Sequence, residues 1–164
     1  MKKAFAVLVV AACALPMASS AQSATDPAKM LQIFSSVVRT DNGNFQVTIL
    51  NDRTVDALFG TSPAKIAIRT KARMTTVLFV QGNVSKDVDF DPAVKVEQKN
   101  ETLDGKSSSM KNFTAGKIAK GQDVQGMVEL PKKIDLYLPF KVTLGGKSVE
   151  FRLSEDDVRD YGNR

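Results

Sequence analysis

The sequence contains no histidine and no tryptophan, and its one cysteine, Cys13, lies close to the N-terminus. Histidine is the usual general base near neutral pH, so its absence excludes a Ser-His-Asp or Cys-His catalytic arrangement. A zinc site with the usual imidazole and thiolate ligands is also excluded. An enzyme of this composition would rely on carboxylate, lysine or tyrosine chemistry, and we predict no catalytic residue and no cofactor.

The longest uncharged apolar run lies at the N-terminus, which reads MKKAFAVLVVAACALPMASSAQS. Two lysines, an uncharged apolar stretch, Pro16 and small residues are the layout of a bacterial secretory signal peptide, too short to span a membrane. Small side chains at Ser19 and Ala21 predict cleavage after Ala21. The alternative is a lipoprotein box that ends at Cys13, which would then be acylated. Either way, we predict a periplasmic or secreted protein.

Cleavage after Ala21 would remove the only cysteine, so the exported protein would depend on its hydrophobic core rather than on disulfides. Cleavage would also remove two basic residues, Lys2 and Lys3, and leave a small positive net charge. A charge of this size does not indicate nucleic acid as a partner. The length suits one domain. We predict a signal peptide at 1–21, one domain at 22–153 and a tail at 154–164. We predict no transmembrane segment in the mature chain.

Residues 134–153 alternate between apolar and polar on both sides of Gly145-Gly146, which predicts a β-hairpin. Two glycines suit a type I′ turn, which needs positive φ at both central positions. The register that this turn sets groups apolar pairs on one face and an opposite-charge pair on the other: Val142–Val149, Phe140–Phe151, Leu138–Leu153 and Lys141–Glu150.

Similar patterns, with turn signals about every ten residues, predict an all-β antiparallel sandwich. Residues 75–84 form a near-continuous apolar run typical of a central strand, whereas the polar residues 100–112 predict a turn or loop. Residues 26–50 leave two interpretations open. Asp26 and Pro27 suit the start of a helix, and Asn42-Gly43 suits a hairpin turn.

Two segments resemble the immunoglobulin-like modules of secreted bacterial antigens and lipoproteins. They read VLFVQGNVSKDVDFDPAVKVEQ and IAKGQDVQGMVELPKKIDLYLPFKV. An Asn-x-Ser loop after a strand and a later Gly-x-x-x-x-Gly before a proline carry the likeness, at Asn83, Ser85, Gly121, Gly126 and Pro131. The resemblance covers about residues 77–153. It implies an immunoglobulin-like fold and a non-enzymatic role, and it transfers no catalytic residue.

Four basic residues, Lys65, Arg69, Lys71 and Arg73, would share one face if residues 65–74 formed a strand. On that interpretation Ile66 and Ile68 would face the core. A row of cations predicts a docking site for an anionic partner such as an envelope polymer or an acidic protein. The alternative is edge protection, since charges on an exposed strand discourage aggregation.

Asp87, Asp89 and Asp91 alternate with apolar residues, so a strand would place their carboxylates on one face. Calcium prefers such oxygen ligands, which makes the three residues a candidate metal site. The alternative is a solvated strand face, because alternate residues of a strand are about 7 Å apart.

Ser108 and Lys111 have the S-x-x-K spacing of penicillin-recognising enzymes, in which a lysine or a carboxylate helps to deprotonate the serine. The companion S-D-N and K-T-G motifs do not occur in the sequence. We therefore interpret this segment as a serine-rich loop rather than a catalytic motif.

These observations predict an exported bacterial protein that is a non-catalytic binding or assembly module of the cell envelope. Its partner would be another envelope protein or an anionic envelope polymer, bound through loops or a sheet edge. The alternative function is a small hydrolase or lyase that uses carboxylate chemistry. That would require two acidic side chains to converge in a cleft.

The first prediction concerns export. Mass spectrometry of the protein recovered from the bacterial envelope or medium should give an N-terminus at Gln22, because cleavage after Ala21 fits the small-residue rule. An N-terminus at an acylated Cys13 would instead establish a lipoprotein.

Overall fold

The structure is a computed structural model that describes residues 26–162. The predicted signal peptide, its cleavage site and the lipoprotein box at Cys13 lie outside these residues. None of the helices formed by residues 26–162 is long and apolar enough to cross a membrane.

Residues 26–162 form four helices and eleven strands. The helices are α1 Pro27–Ile33, α2 Asp52–Phe59, α3 Lys65–Met74 and α4 Glu155–Tyr161. The strands are β1 Ser35–Thr40, β2 Gly43–Ile49, β3 Val77–Val84, β4 Val88–Phe90, β5 Val94–Gln98, β6 Glu101–Asp104, β7 Lys106–Lys111, β8 Gly116–Ile118, β9 Asp123–Glu129, β10 Phe140–Leu144 and β11 Lys147–Phe151.

Antiparallel pairing joins the strands into three sheets. The large sheet has the order β1-β2-β3-β9-β7, the four-stranded sheet has the order β11-β10-β5-β6, and β4 and β8 form a short ribbon. Buried side chains of all three sheets belong to one hydrophobic cluster, with Val80 from the large sheet and Val142 from the four-stranded sheet both fully buried. The prediction of an antiparallel β fold is confirmed at this level.

A second hydrophobic cluster covers the opposite face of the large sheet. Val55 from α2 and Ile68 from α3 pack there against Val77 and Phe79 of β3. The ring of Phe59 meets that of Phe79 edge to face, with centroids 5.5 Å apart. The chain is therefore largely β rather than all-β, because a helical layer lies over one sheet.

Strand β3 lies in the middle of the large sheet, as the apolar run at 75–84 predicts. Its alternate side chains enter different clusters: Leu78 and Val80 face the four-stranded sheet, whereas Val77 and Phe79 face the helices. Residues 77–80 are buried on both faces of the sheet and need no polar side chain, which explains why this part of the strand is wholly apolar.

The hairpin around Gly145-Gly146 is confirmed, with φ values of 56° and 72° at the two glycines. The structure pairs the residues as the sequence predicts: Phe140 with Phe151, Lys141 with Glu150, and Val142 with Val149. Across the strands, Lys141 forms its close ion pair with Glu97 of β5, at 2.8 Å, rather than with Glu150.

The predicted extension of this hairpin back to residue 134 is wrong, and so is the Leu138–Leu153 pair, because strand β10 begins only at Phe140 and β11 ends at Phe151. Residues 134–139 form a loop held by the side chain of Gln98, which donates to the carbonyl oxygens of Asp135 and Leu138 at 2.8 and 3.2 Å. The alternation continues through the loop because Ile134 and Leu136 still pack against the core.

The predicted strand at 65–74 is also wrong, because these residues form helix α3. Ile66 does not face the core but is 77% exposed, and Ile68 and Ala72 are the buried residues of this helix. A four-residue spacing of buried positions is the helical period. Over a few residues, the same apolar pattern can fit the two-residue period of a strand or the period of a helix. The segment is also rich in good helix formers.

Residues 101–104 and 106–111 are strands β6 and β7, so the predicted loop at 100–112 is wrong. Both strands lie at sheet edges, and most of their side chains are exposed. Because neither face of β7 is well buried, its sequence lacks the alternation by which strands are recognised.

Both interpretations of residues 26–50 are correct for part of the segment. Asp26 caps α1 by accepting from the amide of Ala28, and strands β1 and β2 follow the helix. At the other end of the domain, Ser154 accepts from the amide of Asp157 and caps α4.

The second prediction tests the two faces of the hairpin. Phe140 is 3% exposed and stacks on Phe151 with ring centroids 5.0 Å apart. Phe140→Ala should therefore lower the free energy of unfolding by about 3–5 kcal/mol. Lys141→Ala, next along the strand on the solvent face, should leave the urea midpoint almost unchanged. Similar midpoint shifts for the two variants would contradict this assignment of faces.

Candidate functional site

The basic residues of α3 point towards helix α2 instead of forming a free row. Lys65, Arg69 and Arg73 follow one another at four-residue steps, so they share one side of the helix. Lys65 Nζ lies 2.8 Å from Asp56 Oδ1, and Arg69 pairs with the same carboxylate. The Nε of Arg73 donates to both carboxylate oxygens of Asp52, at 3.0 and 3.1 Å.

Lys71 leaves α3 in another direction and bonds to Glu129 of β9, with Nζ 2.7 Å from Oε2. The hydrogen bond from Lys65 and the charge of Arg69 outweigh slight desolvation and lower the pKa of Asp56 below its ordinary value. All four cations therefore have carboxylate partners in the fold, and the strand geometry behind the docking hypothesis is wrong. Binding of an anionic partner by these residues stays a prediction.

Asp87, Asp89 and Asp91 serve separate local contacts. Asp87 accepts from the amide of Lys120 at 2.8 Å, and Asp91 accepts from the amide of Ala93 at 3.0 Å. Asp89 lies on β4 opposite Lys117 of β8. Within residues 26–162, no group of three or more potential ligands is arranged to hold a metal ion. Calcium binding by the three aspartates thus gains no geometric support.

Ser108 and Lys111 of strand β7 have different partners. The hydroxyl of Ser108 donates to the carbonyl oxygen of Met127, whereas Lys111 Nζ bonds to Asp123 Oδ2 at 2.8 Å. No proton path between the serine and the lysine follows from this arrangement. The S-x-x-K motif therefore lies on an edge strand, and its serine and lysine are bonded to different partners.

Strand β7 forms an edge of the large sheet and pairs only with β9 among the strands of residues 26–162. Its side chains are exposed except for the half-buried Ser107. A register shift between Ser109 and Lys111 interrupts the ladder, and Met110 at that irregularity is 47% exposed. A six-residue strand thus presents one row of backbone groups away from the sheet.

The other edges differ from β7. Strand β1, at the opposite end of the large sheet, lies against β11 of the four-stranded sheet. Strand β6 has four residues and carries an ion-paired carboxylate at each end, where Glu101 meets Lys132 and Asp104 meets Lys95. Charged side chains are a common protection of edge strands. Strand β7 carries a lysine at each end, with Lys111 paired to Asp123, and three consecutive serines between them.

A cavity of about 200 Å³ lies where the start of α2, the end of α3, the loop at 133–137 and helix α4 meet. We call it the Asn51 cavity, after the residue that caps α2 and lines its wall. Sequence reasoning missed it, because its walls come from segments far apart along the chain. Asn51 before Asp52 is a recognisable helix cap, but nothing in the sequence shows that a cavity adjoins it.

Comparison with family models, curated proteins and solved structures gives no match for this chain.

The third prediction concerns the ion pairs between α2 and α3. The double variant Arg69→Ser, Arg73→Ser should speed amide hydrogen exchange in α2, because Asp52 and Asp56 lose partners that tie the two helices together. Exchange in the β10–β11 hairpin should stay at the wild-type rate, since the hairpin lies in the other cluster.

The matched control is the double variant Arg39→Ser, Lys86→Ser, which removes two exposed cations elsewhere on the domain. It should leave the exchange of α2 unchanged. Equal acceleration in both double variants would show that overall charge, rather than the contacts between the helices, controls the effect.

Proposed function

We propose that this chain is a non-catalytic binding module of a bacterial cell envelope, exported through its N-terminal signal peptide. Its partner is another envelope protein, which adds an extended segment to the edge of strand β7. The antiparallel sheets are consistent with the immunoglobulin-like resemblance of residues 77–153, and the helices over the large sheet are an addition to that pattern.

The open edge at β7 is the observation that supports this function. An edge strand offers unpaired backbone N–H and C=O groups, and an added strand can pair with them while side-chain contacts give specificity. The three serines are small, so they would not obstruct an incoming backbone. Met110 adds an exposed apolar contact beside the ladder.

The competing explanation is that Lys106 and Lys111 only protect this edge from aggregation. Lys111 is already bonded to Asp123, which leaves the centre of the strand without a charge. Strand β6 also carries its charges at its ends, but β7 is longer, and its uncharged residues 107–110 leave room for an added strand. We therefore favour a partner over protection alone.

The alternative of a carboxylate-dependent hydrolase or lyase has no comparable support. The acidic residues nearest the predicted sites, Asp52, Asp56 and Asp123, are bonded to basic side chains. General acid–base work requires carboxyl groups placed at a reacting centre rather than in such pairs.

The fourth prediction tests strand addition at β7. A photo-crosslinking amino acid at Met110 should give, in the living cell, an adduct with one envelope protein, and the same probe at Thr102 of β6 should not. The adduct identifies the partner. Affinity is then measured with the purified partner and two proline variants, Ser107→Pro and Ser108→Pro.

Neighbouring residues of an antiparallel strand direct their N–H groups to opposite sides. One of the two prolines therefore removes a bond to β9 and should lower the melting temperature. The other proline removes an N–H group that points away from the sheet. That variant should keep the wild-type melting temperature and bind the partner at least tenfold more weakly. Retention of affinity in both variants would contradict strand addition.

A further inference from the structure

The Asn51 cavity has mainly apolar walls. It is open to solvent on one side and is lined by residues from the end of β2, helix α3, the loop at 133–137 and helix α4. The apolar lining residues are Ile49, Leu50, Ala72, Ile134, Leu136 and Val158. Its volume is enough for a small organic molecule, since a closed apolar cavity of about 150 Å³ binds benzene.

Asn51 is held rigidly beside this cavity and is only 1% exposed. Its Oδ1 accepts from the amides of Arg53 and Thr54, at 3.0 and 2.9 Å. The backbone N–H of Asn51 donates to Thr54 Oγ1 at 2.8 Å, which completes a reciprocal helix cap. The side chain cannot turn without breaking this cap, so the orientation of its Nδ2 is fixed.

The Nδ2 of Asn51 is buried and has no hydrogen-bond partner within residues 26–162. Leaving a buried donor unpaired costs free energy, and such a group requires an explanation. The neighbouring threonine hydroxyls do not accept from it in the structure and make other bonds. Thr75 Oγ1 donates to the carbonyl oxygen of Leu130 at 2.6 Å, and Thr76 Oγ1 accepts from the amide of Ile134 at 2.9 Å.

Two charged residues line the cavity, and they differ in their contacts. Asp135 accepts from the amide of Tyr137 at 3.1 Å and lies 3.8 Å from Lys99 Nζ. Lys133 is exposed and forms no ion pair with another residue of the described chain. The cavity therefore combines one buried donor, mainly apolar walls, the cation of Lys133 and the carboxylate of Asp135, which Lys99 and the amide of Tyr137 already engage.

We propose that the Asn51 cavity binds a small carboxylic acid with an apolar body. One carboxylate oxygen accepts from Asn51 Nδ2, the apolar body contacts Ile134 and Val158, and Lys133 adds a favourable charge. The site is separate from strand β7, so the proposal is independent of the function argued above. A hydroxyl-rich ligand such as a sugar fits less well, because most of the lining surface is apolar.

The test uses three probes of similar shape on the full exported chain: benzoate, benzamide and toluene. Benzoate has both the acceptor and the charge, benzamide has a neutral acceptor, and toluene has neither. Titration followed by NMR should shift the side-chain amide of Asn51 and the methyl groups of Ile134 and Val158. Benzoate should bind with a Kd below about 1 mM, which corresponds to a weak but specific complex.

Asn51→Asp removes the donor and keeps the shape and the capping oxygen, but its carboxylate also repels benzoate, so neutral benzamide reports the loss of the donor. The variant should weaken the binding of benzamide and of benzoate at least tenfold and leave toluene within threefold of its wild-type Kd. Asn51→Ser, which also keeps a capping oxygen, gives the same comparison if a buried carboxylate destabilises the fold. Lys133→Gln should weaken the binding of benzoate, which is charged, but not the binding of benzamide, which is neutral. The matched control Lys132→Gln, whose lysine pairs with Glu101 away from the cavity, should affect neither probe.

Two results would overturn the proposal. Absence of saturable benzoate binding would mean that water satisfies Asn51 Nδ2. An equal loss of benzoate and toluene affinity in Asn51→Asp would mean that the variant collapses the cavity and that Nδ2 selects no ligand.

Discussion

Strand β3 contributes Leu78 and Val80 to one hydrophobic cluster and Val77 and Phe79 to another, so the large sheet must be covered on both faces. The four-stranded sheet covers one face. Helices α2 and α3 cover the other, although each is too short to be stable alone in water. Their apolar residues therefore depend on the sheet, and the sheet depends on them to keep Val77 and Phe79 from water.

Ion pairs between α2 and α3 help to fix how the two helices align, in addition to their apolar packing. Lys65, Arg69 and Arg73 meet the carboxylates of α2, and Lys71 reaches Glu129 on the sheet. Exposed pairs of this kind contribute little stability individually. Together they favour one alignment of the two helices, because a helix rotated by one residue would separate the opposite charges.

The β10–β11 hairpin could be predicted residue by residue because a glycine pair fixes its turn and one face is buried. Helix α3 could not, because Ile68 and Ala72 fit both a period of two and a helical period, and the exposed Ile66 adds to the apparent alternation. Packing against α2 and the large sheet decides between the two, and that is information from the tertiary fold. Strand β7 was missed for the opposite reason, since a strand with exposed faces needs no apolar pattern.

The candidate sites were even less accessible from the sequence than the fold. Basic and acidic residues stand out in a sequence, yet in the structure the basic residues of α3 are bonded to carboxylates, and Asp87 and Asp91 are bonded to backbone amides. Asn51 draws little attention, because an asparagine before a helix is explained by its capping oxygen alone. The cap uses only half of the amide. What the other half does depends on Ile134 and Val158, more than 80 residues further along the chain, and only the folded molecule brings them to it.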